Sequence, residues 1–103
     1  MRPHYAEYVK HAMRFYAKSR INASSEQPRF KTEADKKNWN ACHTALNTYS
    51  DEEREVFVAL YSDTAPLPEA IAKIAKEHRM EQNHVWNMVN DLEKKVAKRR
   101  GLI

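Results

Sequence analysis

The stretch Asn83–Lys94, "NHVWNMVNDLEK", decides how the chain is to be read. Val85, Met88, Val89, Leu92 and, just beyond it, Val96 recur at i, i+3, i+4, i+7 and i+11, the spacing of one apolar stripe on a helix. Asn83, Asn87, Asn90, Lys94 and Lys98 then fall on the opposite side. A merely solvated helical face more usually carries Glu and Lys, because Asn is a poor helix former whose side chain competes for backbone hydrogen bonds. Three amides along one face call for a reason. An amide donates and accepts at once, which is what recognition of base edges in a DNA groove requires.

Working outward, the chain has 103 residues, one glycine and four prolines, and no strand-like alternation, so an all-α fold in a single domain is expected. Its longest uninterrupted apolar run, Val56 to Tyr61, is far short of the roughly 20 residues that cross a bilayer. The N-terminus lacks the apolar core of a secretory signal. The lone cysteine, Cys42, excludes an internal disulfide and suits a reducing cytoplasm. Five histidines and this cysteine show no zinc-ligand spacing, and no metal or cofactor is expected.

Charge is unevenly spread. Residues 1–49 carry nine Lys/Arg against four Asp/Glu, residues 50–93 four against ten, and residues 94–103 five against none; the blocks of +5, −6 and +5 give the net +4. The basic N-terminal half and tail favour an anionic partner, whereas the acidic middle opposes one.

Five helices are expected. The first runs from Pro3, suited to a first helical turn, to about Ser19, with Tyr5, Tyr8, Val9, Ala12, Phe15 and Tyr16 as its apolar stripe. These aromatics read as core before they read as a base-stacking platform, and Lys10, Arg14 and Lys18 as solvated charge. "RINASSEQPRFK", Arg20–Lys31, reads as a loop anchored by Ile21 and Phe30. Thr32 is a plausible N-cap for a second helix reaching about Thr48 and burying Trp39, Cys42, Ala45, Leu46 and Tyr49. Cys42 there is a small buried hydrophobe; a Cys42–His43 nucleophile pair is disfavoured because helical neighbours point about 100° apart.

"SDEE", Ser50–Glu53, forms a capping box for a third helix ending at Tyr61, with Val56, Phe57, Leu60 and Tyr61 inward. After a turn closed by Pro66 and Pro68, a fourth helix runs to about His78, burying Ile71, Ile74, Ala75 and His78. The fifth spans about Glu81 to Arg100. Gly101 then stands where a left-handed cap is wanted, with Leu102 placed for the accompanying apolar contact.

The short link at Arg79–Met80 makes the last two helices a candidate helix-turn-helix, packed on the N-terminal helical pair of residues 1–49. Ala75 supplies the small residue at the crossing, Met80 the apolar residue of the turn and Val85 the β-branched residue early in the second helix. Arg79 occupies the turn position usually held by glycine, so a somewhat different turn is expected. From Tyr49 to Gly101, through "SDEEREVFVALY" and "AIAKIAKEHRMEQNHVWNMVNDLEKKVAKRRG", the chain resembles region 4 of the bacterial sigma-70 family and the small phage regulators that share this module. The whole chain, with "MRPHY" and "KRRGLI" at its ends, also resembles small proteins of gut Firmicutes carried on mobile elements, a likeness that supplies no function.

The sigma-like resemblance implies that the fifth helix is a recognition helix. Gln82, Asn83, Trp86, Asn87 and Asn90 would face the major groove, and Lys73, Lys76, Arg79, Lys94 and Lys98 would contact phosphates, which position without reading sequence. Trp86 lies at the edge of the apolar stripe, so partial burial competes with DNA contact. His84 reads as a surface or partner-contacting residue, not a metal ligand. The expected partner is double-stranded DNA, with RNA polymerase or another protein as a further one; a helical protein-interaction module is the competing class. An enzyme is not expected, since no phosphate-binding glycine loop, metal cluster or triad is present.

Overall fold

The computed structural model describes residues 3–22 and 30–103. Five helices follow in order: α1 (Ala6–Asn22), α2 (Glu33–Leu46), α3 (Asp51–Ser62), α4 (Leu67–Glu77) and α5 (Gln82–Arg99), with no strand among the described residues. The expected all-helical architecture is what is found.

α1 packs against α2, α3 and α5, while α4 bridges α3 and α5 and α2 lies along α5. One core results, fed by every helix and centred on Val9, Met13, Phe57, Ile71, Val89 and Leu92. The stripe Val85, Met88, Val89, Leu92 and Val96 is buried throughout. Trp39 and Phe57 are buried as well, and the Trp39 indole N–H donates to Ser19 Oγ at 2.8 Å, so its polar edge enters the core satisfied.

α1 departs from expectation in its facing. The buried line is Ala6, Val9, Ala12, Met13, Tyr16 and Ala17, while Tyr8 and Phe15 stand more than a third exposed. Each lies one residue before a buried position, about 100° around the helix. Apolar residues on both neighbouring lines leave a periodicity reading unable to choose between them. Tyr8 instead takes a border place suited to its hydroxyl, donating to Asn38 Oδ1 at 2.9 Å, and the ring of Phe15 lies 6.4 Å from that of Phe30. Of the expected loop anchors, Phe30 packs against the core. Arg20, Ile21 and Asn22 belong to the last turn of α1 and not to the expected loop; the Ile21 side chain and the stretch 23–29 lie outside what is described. His78 is only half-buried.

The helix ends follow their signals. Thr32 Oγ1 accepts from Asp35 N at 3.0 Å. At α3 the box closes both ways: Ser50 Oγ accepts from Glu53 N, and Glu53 Oε1 accepts from Ser50 N. α4 and α5 end alike. At α5, Gly101 has φ 76° and Leu102 N donates to Ala97 O at 2.8 Å. At α4, Arg79 has φ 55° and Met80 N donates to Ala75 O at 2.8 Å. Both are Schellman ends, one built on glycine and one on arginine. The turn at Arg79 is therefore the left-handed one that glycine would make, not a different one.

That conformation costs a residue with a Cβ roughly 1–2 kcal/mol, against the roughly 0.5–1 kcal/mol of extra freedom an unfolded glycine loses. Arg79→Gly is expected to raise stability by up to about 1 kcal/mol in a urea melt. A clear loss would mean that the Arg79 side chain stabilises the turn.

Candidate nucleic-acid interface

α5 is positioned by its buried stripe, and the rest of its surface follows from that. At 100° per residue, Asn83, Asn87, Asn90 and Lys94 share an arc of about 60° opposite the core, with Lys98 just beside it. All five are exposed. From Asn83 to Lys98 this line runs about 22 Å along the helix at 1.5 Å per residue. Its first half is amide and its second half cationic.

The other expected base-contact residues stand apart. Gln82 is exposed but lies about 100° from Asn83 around the axis. Trp86 is half-buried and packs against the core. Of the expected phosphate contacts, Lys76, Arg79, Lys94 and Lys98 are exposed, and Lys73 reaches Asp63 Oδ2 at 3.8 Å. Exposed Glu77 and Glu81 bracket the Arg79 turn and lower the positive potential at that end.

Much of the acidic middle segment is engaged within the fold. Arg54 pairs with Asp51, Lys73 with Asp63, and Glu53 serves the α3 cap. Glu93 is wholly buried on the core side of α5, which its charge gave no reason to expect. Asp91, beside the amide line, accepts from the Tyr49 hydroxyl and lies 3.2 Å from Lys95 Nζ. The Tyr49 hydrogen bond, with Lys95 behind it, holds the Asp91 carboxyl below the usual range. Lys95 also donates to Thr48 Oγ1 at 2.9 Å and sits 4.1 Å from the Tyr49 ring centre. These contacts fix the 47–50 connection on α5 and answer the carboxylate nearest the exposed face.

Two groupings were not foreseen. One is a cationic cleft between α2 and α5, taken up below. The other lies at the α1–α2–α3 junction, where an open groove of about 770 Å³ is lined by residues including Tyr16, Arg20, His43, Leu46 and Arg54. The Trp39 and His43 rings stack at 4.7 Å, and His43 Nδ1 lies 2.9 Å from the Tyr16 hydroxyl. The Trp39–His43 stack is an i, i+4 pair within α2, whereas the Tyr16 partner comes from α1 and was not visible from α2 alone. Beside them Cys42 is fully buried, and burial pushes its thiol up to about 12, which keeps it protonated and unreactive at neutral pH.

Burial, then Arg20 and Arg54, lowers the His43 pKa from its usual value. A lowered folded pKa means that the unfolded chain takes up the proton first, so this contribution is complete above about pH 6.5 and is lost as pH falls through the folded value. Wild type should therefore lose more thermal stability than His43→Asn between neutral and mildly acidic pH. Parallel losses in the two proteins would remove His43 as the cause.

Among the described residues, no group of three or more His, Cys, Asp or Glu is placed to hold a metal ion, and no helix is long and apolar enough to cross a membrane. Compared with known proteins, the chain matches no family model, no curated protein and no solved structure.

Proposed function

We propose that this protein is a sequence-specific DNA-binding transcriptional regulator of the kind carried by phages and mobile elements. In this reading α4 and α5 form a helix-turn-helix with α5 as the recognition helix. The observation that carries it is the division of α5: one face wholly core, the other a line of three exposed amides leading into Lys94 and Lys98. Asn83, Asn87 and Asn90 read base edges in the major groove. Lys94 and Lys98, with Lys76 and Arg79 from the preceding helix and turn, hold phosphates. Gln82 and Trp86 flank this surface, and Lys73 divides its charge between Asp63 and the backbone. The left-handed Arg79 turn, closed by the Met80 N–H on Ala75 O, supports the reading because it sets the two helices in the short-linked arrangement such a motif needs. The protein acts in the cytoplasm by binding, without catalysis or cofactor. RNA polymerase is a further partner compatible with the sigma-like resemblance.

Selection from random duplex DNA at two salt concentrations tests this. A recovered consensus whose affinity falls steeply with salt is the expected result. Absence of duplex binding at physiological salt would pass the α5 face to a protein partner and make the chain a helical adaptor.

A further inference from the structure

The second unforeseen grouping lies outside the α4–α5 unit. A cleft of about 410 Å³ between α2 and the end of α5 is lined by Lys37, Asn40, Ala41, Thr44, Arg99 and Arg100. Three of these six side chains are cations, two are neutral polar groups, and none is acidic. Among the described residues none of the three cations is paired with a carboxylate.

Arg100 is the anchor. Its Nε donates to Asn38 Oδ1, its Nη2 donates to the Tyr8 hydroxyl at 3.0 Å, and its guanidinium lies 5.8 Å from the Tyr8 ring centre. Every one of these partners is neutral, so the guanidinium is held in place without having its charge cancelled. A cation ordered in advance loses less freedom when an anion arrives.

Helix electrostatics account for only part of the cluster. Arg99 and Arg100 at the end of α5 suit the negative end of its dipole. Lys37 does not follow from that rule, because it is the fifth residue of α2, beyond the first turn and far from the C-terminal end where the dipole favours a cation. Asn40 and Thr44 continue from Lys37 at i+3 and i+7 along the same helical line, adding an amide and a hydroxyl donor. Cations with interspersed neutral donors are the set that phosphate oxygens use.

We propose that the α2–α5 cleft is a phosphate-binding site. The phosphate is either that of a nucleic-acid backbone or a free one, and the chemistry of the cleft is the same for both. The proposal goes beyond recognition by α5, since Lys37, Asn40 and Thr44 belong to the N-terminal half.

The test is an amide and arginine side-chain NMR titration of the full chain with inorganic phosphate, against chloride at matched ionic strength. Saturable shifts at Lys37, Asn40, Thr44, Arg99 and Arg100 with phosphate alone are expected, and their loss in the Lys37→Gln/Arg99→Gln double variant. Both substituted residues are exposed, and the variant's melt should match wild type. A duplex carrying the selected site then separates the sources. If it moves the same residues, and Arg99→Gln lowers the salt slope by about one contact, the occupant is a backbone phosphate. If it leaves them still while phosphate saturates them, the occupant is a free phosphate. Shifts that chloride reproduces, or that persist in the double variant, overturn the site. Asn87→Ala, which lies away from the cleft, reports on the α5 reading alone, so the two can fail separately.

Discussion

Phe57→Ala is expected to lower the folding free energy by about 3–5 kcal/mol. Phe57 has no exposed surface and meets the Tyr49 ring edge-on at 4.9 Å. It sits on α3, which packs against α1 on one side and α4 on the other. Removing the ring leaves a cavity that three rigid helices cannot readily fill, so the lost transfer energy and the cavity add. A domain of this size has a total stability of roughly 5–15 kcal/mol, so the variant would stand close to unfolding. At roughly 4–8 °C per kcal/mol, the melting temperature should drop by at least about 12 °C. Urea and thermal melts of the variant check this; a loss under about 1 kcal/mol would mean that the core is not closed around α3 as described.

The second large effect concerns binding. On the selected duplex Asn87→Ala should lose about 1–3 kcal/mol, while its affinity for random duplex barely changes, because an uncharged amide adds little to the phosphate term. Lys94→Ala should weaken binding to every sequence alike and reduce the salt slope by about one contact. Both residues are exposed on the same arc of α5, so neither change should lower stability. Alanine is the better helix former, and Asn87→Ala should if anything melt slightly higher. Equal losses on cognate and random DNA for the two variants would deny Asn87 a reading role. No loss for either would place the DNA contact elsewhere.

How much of this was legible in the sequence differs from helix to helix. α5 was readable because its apolar stripe and its amide line fall on opposite sides, with Glu93 the one charged residue on the buried side, and α3 because Ser50 and Glu53 mark its start unambiguously. Gly101 and Leu102 announced the end of α5. The equivalent end of α4 was half hidden: Met80 and Ala75 carried the motif, but Arg79 masked a conformation that glycine would have advertised. In α1 the aromatic residues spread over two adjacent lines, and only the neighbours in space decide that Met13 goes in while Tyr8 and Phe15 stay out. Glu93 ran against its own charge. The α2–α5 cleft was beyond reach for a different reason: Asn38 and Arg100 are 62 residues apart, and nothing local to either indicates the other.

The chain has two tryptophans, and the fold separates their surroundings. Trp39 is buried with its indole stacked on the His43 ring, whereas Trp86 is half-covered on the flank of α5. The protein thus carries two built-in optical probes with different responsibilities. Emission from Trp39 should respond to the ionisation of the imidazole against it and be shielded from an aqueous quencher. Emission from Trp86 should be open to the quencher and sensitive to whatever settles on α5. With single-tryptophan variants, acidity and ligand occupancy become two colours of information from one unlabelled molecule.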